Sequence, residues 1–326
     1  MDFTGDGVAD ILSGCYWSDD PSCPEGNPQA GYIYVLAGTD DGSFNAATPL
    51  LNSEKKPLTN VPLSQEKLEN YDMNNIEMGN ICTAQFAADY DGDGDLDLIV
   101  GEMKSKFYVH LNSADSSSAA PVFTEKPIVL DVKLPSGSHS DPHFVDWDGD
   151  GDLDLLSGSG SGSVYLSVNE GTVSEPKWAE FMCLIENESI WLQTIESDSD
   201  LKPGHGSRVC VADFNRDGKL DVILGDATTI EKEIPGLTTE EAARLEREYD
   251  GEMQPIRDEL DEIREKLTKD YEKAKENGEE NAYEKFKEIA EEATKECREK
   301  MTELRKKEKL FRDNTMTGHV WVYLQK

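Results

Sequence analysis

Basic residues and histidines are scarce in this chain. Only 32 Lys and Arg stand against 67 Asp and Glu, which leaves a formal net charge of −35. That balance excludes a nucleic-acid partner, whose phosphates are held by Lys and Arg that displace counterions. It disfavours an anionic membrane surface for the same reason. Five histidines are scattered along 326 residues. His139 and His143, in His-Ser-Asp-Pro-His, would make a zinc pair only on a helix, and Pro142 opposes one. No apolar run approaches the length of a membrane span, so membrane insertion is not expected. Met1 leads straight into Asp-Phe-Thr-Gly-Asp-Gly, so a signal peptide is not expected within this sequence. The six cysteines form no CxxC pair and no zinc spacing. Cys15 and Cys23 flank a short loop containing Pro21 and are a candidate disulfide. Cys82, Cys183, Cys210 and Cys297 lie in apolar patterns that suit buried thiols. There is no nucleophile elbow, and Gly204-His205-Gly206-Ser207-Arg208 lacks the lysine of a phosphate loop.

What the chain does contain is a repeat. Four segments align without gaps: DFTGDGVADILSG from Asp2, DYDGDGDLDLIVG from Asp89, DWDGDGDLDLLSG from Asp146 and DFNRDGKLDVILG from Asp213. Each opens on aspartate, has Asp-Gly at positions five and six and aspartate at position nine, and ends at Gly14, Gly101, Gly158 or Gly225. Short alternating stretches precede three of them, at 85–88, 143–145 and 209–212. Aromatic and β-branched runs follow each, at 32–36, 107–111, 164–168 and 320–324. The unit reads as strand, acidic loop, strand, turn, strand. Three or four antiparallel strands recurring every 57 to 87 residues predict an all-β fold, a β-propeller of four-stranded antiparallel blades with four recognisable repeats.

The loops carry the chemistry. Alternating aspartates crowd carboxylates into a small volume, where they repel one another unless a cation intervenes. Many hard oxygens at this spacing select Ca²⁺ over Mg²⁺, which keeps more of its water. The expected ligands in the second loop are Asp89, Asp91, Asp93 and Asp97 with the Asp95 carbonyl. In the third they are Asp146, Asp148, Asp150 and Asp154 with the Asp152 carbonyl. The fourth offers Asp213, Asn215, Asp217 and Asp221 with the Lys219 carbonyl, and the first Asp2, Thr4, Asp6 and Asp10 with the Val8 carbonyl. Up to four calcium ions are therefore expected, with the first loop weakest because Thr4 replaces a carboxylate. An EF-hand would need glutamate at position twelve, where Ser13, Val100, Ser157 and Leu224 stand. The remaining alternative is solvated Asp-Gly turns without metal.

These loops resemble the bacterial VCBS/FG-GAP repeat family, related to the blades of integrin α-subunits. The resemblance covers residues 1 to about 226 and 318–326. It implies four-stranded blades with calcium between the first two strands, an extracytoplasmic location (periplasmic, cell-surface or secreted), and binding or scaffolding roles. The chain departs from the pattern in having four repeats, the last of them interrupted, and incomplete first and last blades.

The interruption, residues 227–317, shifts to Glu, Lys, Arg, Ala and Leu. Thr238 and Glu241 form a capping-box pattern. Apolar residues then recur from Leu245 to Ala274 and again from Tyr283 to Phe311, with Asn277-Gly278 between. An antiparallel α-helical coiled-coil hairpin is expected, kinked or split at Pro255. Two functions follow for the whole. One is a non-catalytic calcium-binding module for a protein or polysaccharide partner, open to homo-oligomers through the hairpin or the incomplete terminal blade. The other is a polysaccharide lyase or hydrolase with a site on the central propeller face.

Overall fold

The computed structural model describes residues 1–16, 31–61, 80–114, 120–124, 126–135, 138–187, 191–194, 200–232, 234–277 and 282–325. The Cys15–Cys23 pairing falls outside them at Cys23. The chain divides into two compact units, one of residues 1–191, 202–228 and 317–326, the other of residues 192–201 and 229–316.

The first unit is built from the repeats. Its first sheet is β1 (Ile11–Ser13), β2 (Tyr34–Leu36) and β3 (Thr48–Pro49), and its second is β4 (Ala84–Ala88), β5 (Asp97–Gly101), β6 (Phe107–His110) and β7 (Ile128–Val129). The third comprises β8 (Ser140–Val145), β9 (Asp154–Ser159), β10 (Val164–Ser167) and β11 (Met182–Ile185). Neighbouring strands within each of these sheets run antiparallel in chain order. The fourth sheet contains β12 (Leu192–Thr194), β13 (His205–Ala212), β14 (Asp221–Lys232), β15 (Asp313–Thr317) and β16 (Val320–Tyr323). Within the first unit β14 lies between β13 and β16.

The second, third and fourth acidic loops each close a hairpin. The residue before its opening aspartate pairs with the ninth-position aspartate, as Ala88↔Asp97, Val145↔Asp154 and Ala212↔Asp221. The strand that follows is an unbroken apolar run because both its faces are covered. β5 and β9 are buried along their whole length. Three apolar clusters join successive sheets. Ile33 and Val35 pack with Ala87, Leu98 and Val100; Ile99, Phe107 and Val109 pack with Phe144 and Leu155; Leu156, Val164 and Leu166 pack with Val209, Val211, Val222 and Leu224.

The expectation of an all-β propeller is overturned. Two four-stranded sheets stand beside one of three strands and one of five, and no sheet closes into a barrel or curls as propeller blades would. The repeated motif specifies a hairpin and its loop, whereas blade closure depends on strands outside the motif, and these differ from sheet to sheet. In the last sheet β12 joins in parallel to the far end of a 12-residue β14. A 38-residue helix also removes the chain from the all-β class.

The second unit is largely helical: α1 (Thr239–Glu276), α2 (Ala282–Ala293) and α3 (Lys295–Glu308). The capping box forms, with the Thr238 N–H donating to Glu241 Oε2 at 3.1 Å and the Glu241 N–H to Thr238 Oγ1 at 3.3 Å. Tyr249, Met253, Leu304 and Phe311 make its core. Of the kink or split expected at Pro255, the split is absent: α1 runs through it without a break. Proline deprives the carbonyl four residues earlier of its partner, and here that residue is the exposed Gly251, which water can serve. The second arm divides instead at Thr294, whose hydroxyl bonds back to the Ala290 carbonyl at 2.6 Å. No described helix is long and apolar enough to cross a membrane.

Candidate metal centres

The four loops share one backbone scaffold, set by their aspartates. The opening carboxylate accepts the N–H of the sixth-position glycine in every loop: Asp2 from Gly7 at 2.8 Å, Asp89 from Gly94 at 3.1 Å, Asp146 from Gly151 at 3.2 Å and Asp213 from Gly218 at 3.0 Å. The fifth-position carboxylate accepts the N–H of position seven: Asp6 from Val8, Asp93 from Asp95, Asp150 from Asp152 and Asp217 from Lys219, at 2.9 to 3.1 Å. Position nine ties the loop to the sheet. Asp97 Oδ2 takes the Tyr90 N–H at 2.9 Å, and its Oδ1 takes the Asn112 N–H beyond the third strand at 2.8 Å. Asp10, Asp154 and Asp221 repeat this bridge to Gly38, Asn169 and Gln325. Position four has positive φ in all four loops, at Gly5, Gly92, Gly149 and Arg216.

On this common scaffold the carboxylates converge in two loops. Asp89, Asp91 and Asp97 each offer an oxygen within 4.8 Å of the others, and so do Asp146, Asp148 and Asp154. Among the described residues no other set of three His, Cys, Asp or Glu side chains meets that spacing. Asp93 and Asp150 stand outside these triads, each bonded to the position-seven N–H. The first loop's acids, Asp2, Asp6 and Asp10, are not brought together, and Thr4 gives its N–H to Asp10 at 2.8 Å. In the fourth loop Asn215 turns its amide onto Asp217 at 3.0 Å, using within the loop an oxygen that a cation would need.

The electrostatics follow the same division. Burial pushes Asp97 up to about 7, against the pull of the Asn112 and Tyr90 N–H groups. Burial also pushes Asp95 up to about 6, reinforced by the charges of Asp93, Asp91 and Asp89. Asp154 and Asp152 are raised in the same direction, burial again leading. In the fourth loop the Lys219 N–H and the Asn215 amide hold Asp217 below the usual carboxylate range. For Asp10 burial opposes ionisation, but the N–H groups of Gly38, Thr4 and Phe3 outweigh it and the carboxyl is lowered.

The donor set of loops two and three fits a divalent cation on one further observation. Asp89 Oδ1, Asp95 Oδ1 and Asp152 Oδ1 are buried without a hydrogen-bond partner. Buried carboxylate oxygens are ordinarily satisfied, and a hard cation would satisfy these. Sequence reasoning gave position seven a carbonyl role and did not anticipate that the Asp95 and Asp152 side-chain oxygens would be buried without a partner. Their identity was the available signal: loops two and three carry aspartate there, whereas Val8 and Lys219 fill it in the other two.

Among the described residues, His139 and His143 belong to no convergent group of three potential metal ligands. His139 sits in the left-handed region and His143 lies in β8, its ring 4.4 Å from that of Phe86 and burial pulling its pKa down to about 4.

Comparison with known proteins follows the repeats. An FG-GAP-like repeat model matches residues 89–157 and 146–224, and so takes in the second, third and fourth loops. No curated protein matches the chain. Among solved structures it is similar to the Tc holotoxin pore of Photorhabdus luminescens, at 18% identity with a TM-score of 0.30. That match covers 64% of this chain and 8% of that one. Loops two to four therefore lie in a stretch of FG-GAP-like repeats spanning residues 89–224.

Proposed function

We propose that the protein is a calcium-binding module without catalytic activity that serves a binding or scaffolding role outside the cytoplasm. The observation that carries this reading is the pair of aspartate triads, each with ligand oxygens within 4.8 Å of one another, beside buried and unpartnered Asp oxygens. Both triads are oxygen-only, which favours Ca²⁺ over softer metals. Asp89, Asp91, Asp97 and Asp95 would hold the ion in the second loop, and Asp146, Asp148, Asp154 and Asp152 in the third. Bound calcium would neutralise carboxylates that otherwise repel, and so stabilise the hairpins that the loops close. The first and fourth loops are weaker sites, with Thr4 and Asn215 where the stronger loops have Asp91 and Asp148. The extracytoplasmic assignment rests on the calcium available there.

Calorimetric titration of the purified chain tests this. Two strong calcium sites are expected, with much weaker magnesium binding. Asp91→Asn and Asp148→Asn should each remove one site and part of the calcium-dependent rise in Tm, leaving the Tm in chelator unchanged. Full calcium binding by both variants, or none by the parent, would overturn the metal reading.

A further inference from the structure

The second and third loops meet across the joint between their sheets. Tyr90 stands between Asp89 and Asp91, and Leu153 between Asp152 and Asp154. Both side chains line one small cleft with Asn169, Val173, Pro176 and Trp178, which belong to the turn between β10 and β11. Phe144 packs edge-on with Tyr90, at 6.0 Å between ring centres, and with Trp178, at 5.6 Å. Residues that flank the ligands of two different loops therefore share one apolar contact.

The turn is fastened to the third loop. Asp154 Oδ1 takes the Asn169 N–H at 2.8 Å, and Asn169 Oδ1 takes the N–H groups of Gly171 and Lys177 at 2.9 and 2.8 Å. Within that frame the Glu170 N–H donates to the Lys177 carbonyl at 2.8 Å, and Thr172 and Glu175 exchange a pair of backbone bonds at 3.2 Å. The tip of the turn rests on the second loop. A Cβ on Gly92, between Asp91 and Asp93, would lie 2.8 Å from Val173 Cγ1. On Gly149, the matching residue of the third loop, it would meet nothing within 4 Å. A chain of short contacts thus runs from Asp154 through Asn169 and the turn to Val173 and the backbone beside Asp91.

We propose that this turn couples the two calcium sites, so that loading the third loop raises the calcium affinity of the second. The inference rests on the calcium reading and adds its regulation. Its physical basis is shared ordering. Without a cation the carboxylates of either loop repel one another, and a loop that opens gives up its hold on the turn. Asp154 then releases Asn169 in one case, and Gly92 draws away from Val173 in the other. With calcium in the third loop, Asp154 stays fixed and holds, through Asn169, the surface on which Gly92 and Tyr90 pack. The second loop then closes on a template already in place and loses less conformational freedom on binding. Linkage makes the effect reciprocal, so the third loop is strengthened by the second to the same degree. Val173 is a positioning residue: it offers no ligand and acts through the backbone of Gly92.

Calorimetric calcium titration of the full chain tests this, each site being read with its neighbour intact and disabled. The parent should fill the two sites with positive cooperativity. In Asp148→Asn the second loop should bind about tenfold more weakly than in the parent with its third loop loaded, a coupling of ordinary size between neighbouring sites. In Asp91→Asn the third loop should weaken by the same factor. Val173→Ala changes a side chain that is 38% exposed, so it should keep both sites and the Tm in chelator. Combined with either loop variant, it should bring the coupling factor below about twofold, because the contact with Gly92 is gone. Two sites that fill independently in the parent overturn the coupling and leave the metal reading intact. Coupling that Val173→Ala leaves untouched overturns the turn as its carrier. A parent that binds no calcium overturns both readings.

Discussion

The third and fourth loops carry the same motif on the same backbone scaffold, yet they present different chemistry. Both bind their sixth-position glycine through the opening aspartate, and both bridge to the end of the third strand through the ninth. Only the third converges three carboxylates. The difference begins with Asp148 against Asn215. A carboxylate at position three adds an oxygen and a charge to the cluster, whereas the amide donates to Asp217 and satisfies the loop from within. Loop shape and carboxylate convergence are therefore separable in this motif. Positions one, five and nine set the first, and the residue at position three decides whether a third carboxylate joins those of positions one and nine.

The largest effect that could break this comparison comes from position nine. If the buried aspartates are the common structural part, Asp154→Ala and Asp221→Ala should destabilise alike, by about 3 kcal/mol each, because each strands backbone N–H groups. Urea denaturation in chelator measures this. A cost that appears only in calcium and vanishes in chelator would tie position nine to metal alone. Next comes the conversion of one loop toward the other. Asn215→Asp should raise calcium affinity at the fourth loop by about tenfold, each added carboxylate strengthening such a site, and should lower Tm in chelator. No gain in a calcium titration would place the deciding difference at position seven, where Lys219 stands in for Asp152.

A smaller effect separates the second sheet from the third. The fully buried His110 occupies the place that Ser167 takes in the third sheet, and burial pulls its pKa down to about 3 from an ordinary 6.5. With the folded value below the unfolded one, its contribution is present above pH 6.5 and is lost progressively as pH falls toward the folded value. From pH about 7.5 to 5.5 the parent should lose about 1.4 kcal/mol more than His110→Gln, one unit of the shift being traversed. Equal losses would mean the ring is reached by protons in the folded state. The smallest effect concerns position four. Arg216 holds φ at 63°, where the other loops use glycine. Arg216→Gly should stabilise by less than about 1 kcal/mol, relief of backbone strain being offset by a more flexible unfolded chain. A destabilised variant would show that the arginine side chain supports the loop.

Much of the local structure was legible because the information is local. The acidic spacing and the aromatic runs locate the hairpins, and β6, β10 and β16 fall within the runs at 107–111, 164–168 and 320–324. The capping box at Thr238 was legible for the same reason. Closure was not. Reading blades from the repeat assumed that like motifs assemble into like sheets, but strand number and direction at the outer edges are set by segments that share no pattern. A split at Pro255 was expected and is absent because the proline's cost depends on the solvent access of Gly251, and sequence does not state that. Asp95 and Asp152 were read as backbone donors because alternation along the loop predicts which side chains converge only if the loop is regular.

Sequence alone determined where each acidic loop lies, which strands it joins and how large the excess of negative charge is, since these depend on neighbours within a dozen residues and on composition. Tertiary structure decided which carboxylates meet, which of their oxygens are buried without partners, and that the sheets stack without closing. Those outcomes depend on what packs over each face, which no neighbour within a dozen residues decides.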